Sequence, residues 1–187
     1  MDECKKIIVV GEASVGKTSI LNRWLHDCFS FETAPTIGAG MSPMEINVDG
    51  NPQLFHVWDT AGTPQFRSVV PMYCRQAAIA IIVFDITKRN TFEKIPEWVS
   101  FVRENASPVF VLVGNKIDLE DERDVQKAEE EQTAESIGCK CVEVSACTNE
   151  GMKLFIEEME NAARDSLRTF VKSQSKQIEI SKPGCNC

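Results

Sequence analysis

The run GEASVGKT, residues 11–18, follows directly on the apolar residues 7–10 and fits the pattern G-x-x-x-x-G-K-[ST]. A polyphosphate at the end of a strand can be held by backbone N–H groups only where the chain wraps closely around it. Gly11 and Gly16 permit that approach. A helix starting where the loop ends adds free N–H groups and a dipole that favour an anion. On this reading Ala13, Ser14, Val15, Gly16 and Ser19 line a phosphate cradle. Lys17 reaches the outer phosphates, and Thr18 offers its hydroxyl to Mg²⁺, an ion that takes few protein ligands and keeps several waters.

Working outward, residues 7–10 read as a buried strand and 16–26 as a helix with Ile20, Leu21, Trp24 and Leu25 turned inward. Residues 27–40, rich in Thr, Pro and Gly, read as a long loop of the kind compact domains keep for function. Strands over 44–48 and 53–58 meet at Asp49-Gly50, a hairpin signal, and Pro43 marks the first as an edge. Further strands at 79–84, 109–114 and 140–144 alternate with helices at 90–104, 125–137 and 150–170. Such alternation predicts an α/β fold, a doubly wound, mostly parallel six-stranded sheet with helices on both faces. Ligands of such sheets bind at the carboxyl ends of the strands. From residue 171 the periodicity fades and polar residues take over, so 1–170 reads as one domain and 171–187 as a flexible tail.

At 187 residues the chain is long enough to bury a core without disulfide staples. Its formal charge of −8 argues against nucleic acid as a partner. Eight scattered cysteines without a CxxC pair point to a reduced, cytosolic chain. The N-terminal residues are too short for a signal peptide, and no apolar stretch approaches the roughly 18 residues of a membrane span. Membrane contact must come from elsewhere.

Three more patterns follow in order, each at a predicted strand end. In Asp59-Thr60-Ala61-Gly62, Asp59 can hold Mg²⁺ through water, and the Gly62 N–H can meet a terminal phosphate. In Asn115-Lys116-Ile117-Asp118, the Asp118 carboxylate can accept from the ring N–H and the exocyclic amine of guanine. Adenine would set a lone pair against that carboxylate and leave a polar pair unmatched. Ser145-Ala146 can offer a backbone N–H to the guanine oxygen.

Over residues 5–170 the four motifs and their spacing resemble the Ras superfamily of small GTPases. Thr36 sits 19 residues after Lys17, where the resemblance places a threonine that binds Mg²⁺ by its hydroxyl and the γ-phosphate by its N–H. Phe29, 12 residues after Lys17, matches the aromatic that packs on guanine, and Cys147 stands at the lysine of the family's SAK motif. Within the superfamily, WDTAG (58–62), MYCRQA (72–77) and FDIT (84–87) look like a Rab protein. The gap from Asn115 to Ser145 leaves no room for a Rho insert, and Asp2 rules out the myristoylated glycine of Arf proteins. Cys185-Asn186-Cys187 resembles the Rab C-x-C terminus, whose two cysteines carry geranylgeranyl groups; a C-a-a-X box would need Cys where Gly184 stands. Two lipids satisfy the requirement of stable anchoring for two signals.

The resemblance implies a monomeric switch in vesicle trafficking, cycling between GDP and GTP with Mg²⁺. Its partners would be effectors, an exchange factor, a GTPase-activating protein, a GDP-dissociation inhibitor and a prenylation escort. It would sit on the cytoplasmic face of an endomembrane, with a soluble cytosolic pool. Three departures bear on mechanism. Thr63, followed by Pro64, replaces the glutamine that orients the attacking water, and its hydroxyl is too short for that task, so intrinsic hydrolysis should be weak. Ala13 crowds the same water. Thr33, Ala39, Gly40 and Met41 alter the effector-reading surface. A second reading stays open, a GTP-bound interaction module that hardly hydrolyses and is governed by exchange and membrane extraction. An ATP-using enzyme is disfavoured by Asn115 and Asp118.

Overall fold

A computed structural model describes residues 5–32 and 34–180, with residues 170–180 described by backbone alone. Thr33, Cys185 and Cys187 lie outside the described residues. The alternating apolar runs become six strands: β1 (Lys5–Val10), β2 (Ala39–Val48), β3 (Asn51–Thr60), β4 (Ala77–Asp85), β5 (Val109–Asn115) and β6 (Lys140–Val144). They form one sheet in the order β2-β3-β1-β4-β5-β6, and every pairing is parallel except the β2/β3 hairpin. β4 is apolar almost throughout and buried along nearly its whole length, as a strand covered on both faces must be. The hairpin turns at Asp49 and Gly50, both with positive φ (52° and 82°), the geometry their sequence favours. β2 is the edge strand that Pro43 signalled.

Among the described residues six α-helices accompany the strands: α1 (Lys17–His26), α2 (Val70–Cys74), α3 (Arg89–Glu93), α4 (Ile95–Arg103), α5 (Lys127–Ile137) and α6 (Met152–Ile180). Successive residues of β1 point to opposite faces, so Ile7 and Val9 join one core while Ile8 and Val10 join the other. The first core packs α1 and α6 through Ile20, Trp24, Phe155 and Met159, with the Trp24 and Phe155 rings edge-on at 5.2 Å. The second packs α4 and α5 through Trp98, Val99, Val102 and Ala134.

Several element bounds differ from the sequence reading, each for a local reason. The helix expected over 90–104 breaks at Lys94, because Pro96 has no N–H and its ring would strike the carbonyl four residues back; the chain restarts as α4 with proline in its first turn. α5 begins at Lys127, two residues later than the apolar pattern suggested, because Gln126 and Glu129 form a reciprocal capping box. α6 continues to Ile180, past the expected end at 170, and the sequence holds no proline or glycine between them. β2 starts at Ala39 and shortens the preceding loop to residues 27–38. The turns Pro64–Phe66 and Ile117–Glu122 are 3₁₀ helices, too short, like α2, to leave a periodic signal.

Candidate nucleotide site

The phosphate loop runs from the end of β1 into α1, and its two framing glycines are irreplaceable there. A Cβ on Gly11 (φ 145°) would lie 2.2 Å from the Val83 carbonyl oxygen, and one on Gly16 (φ 94°) would lie 2.2 Å from Asn115 Nδ2. Gly16 caps α1 without a side-chain hydrogen bond, which leaves the first-turn N–H groups free for an anion. Lys17 is buried, and its ammonium donates to the carbonyls of Gly11 (2.9 Å) and Glu12 (2.7 Å). Burial pulls its pKa down to about 8 against the pull of Asp59 and Glu12. A buried ammonium so depressed is short of negative charge, which a polyphosphate would supply. The Gly62 backbone presses on the same spot, since a Cβ there would fall 2.4 Å from Lys17 Nζ.

Three oxygen-bearing side chains from three distant segments meet beside it. Thr18 Oγ1 donates to Asp59 Oδ2 at 2.6 Å, and Thr36 Oγ1 lies 3.0 Å from Thr18 Oγ1 and 3.4 Å from Asp59 Oδ2. Asp59 Oδ1 is buried without a partner, and burial raises the carboxyl's pKa against the Thr18 hydrogen bond and the Lys17 charge. Two hydroxyls and a carboxylate with an orphaned oxygen suit a hard cation such as Mg²⁺.

At the other end of the site, Asn115 spans two loops. Its Nδ2 donates to the Val15 carbonyl at 2.8 Å, and its Oδ1 accepts from the Ala146 N–H at 3.2 Å. Ser145 Oγ donates to Asp118 Oδ1 at 2.5 Å and accepts from the Thr148 N–H at 3.0 Å. Arg23 of α1 donates to the carbonyls of Ala146 (3.0 Å) and Cys147 (3.1 Å), which ties the last loop to the phosphate-loop helix. Asp118 is exposed and Cys147 half-buried, so both are open to a ligand. Phe29 packs on the first core with Phe31 edge-on to it at 5.0 Å. Thr63, ahead of the turn Pro64–Phe66, keeps its hydroxyl buried and unbonded.

The structure thus gathers the phosphate-loop residues, Thr36, Asp59 and Gly62 at one end and Asn115, Asp118, Ser145 and Ala146 at the other. Glu12 escaped the motif because it fills one of its free positions. Its carboxylate accepts from the Trp98 indole N–H (3.1 Å) and pairs with Arg67, whose guanidinium lies 5.2 Å from the Trp98 ring centre. The partners lie 55 and 86 residues away, beyond any local pattern.

Residues 6–165 match a family model described as the Ras family. The chain is 35% identical over 180 residues to Ras-related protein RabJ of Dictyostelium discoideum, covering 95% of this chain and 70% of that protein. It is 34% identical over 190 residues to Ras-related protein RABA6a of Arabidopsis thaliana, covering 99% and 82%. With Ras-related protein Rab-31 of Rattus norvegicus it shares 40% over 143 residues, covering 75% and 73%.

Proposed function

The chain belongs to the Ras family of small GTPases, and on that premise we propose that it is a Rab-like switch of membrane trafficking whose own hydrolysis is slow. The observation that carries the switch is the meeting of Thr18, Thr36 and Asp59 within 3.4 Å, which joins the 27–38 loop to the phosphate site. Ala13 to Ser19 hold the phosphates by backbone and Lys17 by charge, and Gly62 meets the terminal one. Thr18 and Thr36 would hold Mg²⁺, with the Asp59 carboxylate beside them. When bound, the ion neutralises phosphate charge. Asn115, Lys116, Asp118, Ser145, Ala146, Cys147 and Phe29 read and cover the base. GTP orders Thr36 and Gly62 into a surface for effectors, and its hydrolysis releases them.

Slow turnover follows from Thr63, whose hydroxyl is buried, unbonded and too short to orient water; a partner would supply the missing glutamine in trans. The same observation supports the second reading, a GTP-held interaction module. Among the described residues no helix is long and apolar enough to cross a membrane. Lipids on Cys185 and Cys187 would attach the chain to a cytoplasmic membrane face. Exchange factor, activating protein, dissociation inhibitor and prenylation escort complete the cycle.

Displacement of a fluorescent GDP tests the reading directly. GTP and GDP should compete at equal concentration while ATP in hundredfold excess does not; competition by ATP overturns it. Single-turnover hydrolysis with and without an activating protein separates the switch from the module.

A further inference from the structure

Asp85, at the carboxyl end of β4, is fully buried, and a carboxylate so placed needs a partner charge. Its Oδ2 lies 2.5 Å from Lys116 Nζ, and its Oδ1 accepts from the Thr87 N–H (3.0 Å) and hydroxyl (2.7 Å). Lys116 stands in left-handed backbone (φ 74°), unfavourable for a side-chain-bearing residue by about 1 kcal/mol. That kink turns the chain from β5 into the 3₁₀ turn Ile117–Glu122, which carries Asp118.

The exit of the turn is gripped as firmly. The Arg123 side chain is 7% exposed and reaches three elements. It pairs with Glu143 of β6 (2.6 Å), with Glu130 of α5 (3.2 Å) and with Glu120 of the turn itself (2.7 Å), and it donates to the Val125 carbonyl (3.0 Å). Only a planar guanidinium can serve so many acceptors at fixed angles. Asp118 therefore rides on a short turn clamped to β4 at its entrance and to β6 and α5 at its exit.

We infer that Asp85 and Arg123 are positioning residues for base recognition: they fix Asp118 against Ser145 and Ala146, and so set both how long a guanine nucleotide stays and how sharply its exocyclic amine is read. This rests on the guanine reading above. Hydrogen bonds weaken steeply with misalignment, so a looser turn loses the contact to the amine first.

The test is the release of bound fluorescent GDP and fluorescent IDP, whose inosine base lacks the amine, from the full chain with Mg²⁺. In Asp85→Asn, GDP release should quicken at least tenfold, and the ratio of IDP to GDP release rates should shrink at least threefold. In Arg123→Lys the ratio should shrink about twofold. Because Asp85 acts through Lys116, Asp85→Asn should change release by less than twofold in a Lys116→Ala background. Equal acceleration of both nucleotides, or additive effects in that background, would mean a merely structural role and overturn the proposal. Should Asp85→Asn fail to fold, Arg123→Lys decides alone, and an unchanged ratio there overturns it. A native chain that does not hold GDP overturns the guanine reading itself, whereas tight native binding with unchanged ratios overturns only the positioning role.

Discussion

Around Asp118 the chain is held by ion pairs, with buried Asp85 on Lys116 and buried Arg123 among Glu120, Glu130 and Glu143, whereas around Thr36 the described residues of the 27–38 loop form no helix or strand and leave Phe31 87% and Ile37 83% exposed. Thr36 is tied in by hydroxyl contacts of 3.0 and 3.4 Å, and Thr63 Oγ1 has no bond at all. Few anchors mean low local stability, and low local stability lets a ligand redistribute conformers. On the proposed function, the base would be read by the firmly held part and the terminal phosphate by the loosely held one.

The largest effect that could break this contrast lies at the rigid end. In Asp118→Asn, an amide N–H would face the donors of guanine, and a mismatch of this kind should cost roughly a hundredfold or more in affinity. Fluorescent GDP titration measures it, and a loss under tenfold would mean that the base end is not the reader. Next comes the loose end. Thr63→Gln restores a carboxamide able to orient water and should speed single-turnover hydrolysis about tenfold, equal to roughly 1.4 kcal/mol of barrier. If the native chain hydrolyses as fast, some other residue positions the water.

A third prediction concerns the charge behind the base end. Burial first, and then Glu143, push the Glu130 carboxyl up to about 7, opposed by Arg123, the Cys141 thiol and Lys127. The folded chain therefore keeps this proton to higher pH than the unfolded chain. Its contribution to stability is complete below about pH 4.5 and is lost as the pH rises through 7. Glu130→Gln should flatten that fall, measurable by urea denaturation across pH. An unchanged pH profile would show that Glu130 ionises freely.

The smallest effect tests whether the loose end has any anchor of its own. A double-mutant cycle of Glu12→Gln and Arg67→Ala should give a coupling of about 1 kcal/mol in denaturation, discounted for the partial exposure of both groups. A coupling near zero would leave the 63–69 segment to the Arg67 contacts with Glu97 and the Trp98 ring, while one well above 2 kcal/mol would erase the contrast between the two ends.

What the sequence discloses follows from how far apart the interacting residues lie. Gly11, Gly16, Lys17 and Thr18 are legible because one loop holds one ligand, and Asp49-Gly50 because a two-residue turn constrains its own dihedrals. The sheet is legible because buried strands need unbroken apolar runs. Glu12 with Trp98 and Arg123 with Glu143 are not, since their pairing exists only after the sheet has brought distant segments together. Pro96 was in plain view, and the 90–104 helix still breaks beside it because a missing N–H outweighs apolar periodicity.

Trp98 gives the loose end an optical consequence. Of the chain's three tryptophans, Trp24 and Trp58 hold indole N–H groups buried without partners, whereas that of Trp98 is bonded to a phosphate-loop carboxylate with a guanidinium from the 63–69 segment near its ring. Excitation moves electron density across an indole, so a charge that shifts beside it changes the colour of its emission. Any rearrangement of Arg67 when GTP replaces GDP will therefore be written into the protein's own fluorescence, with no dye attached.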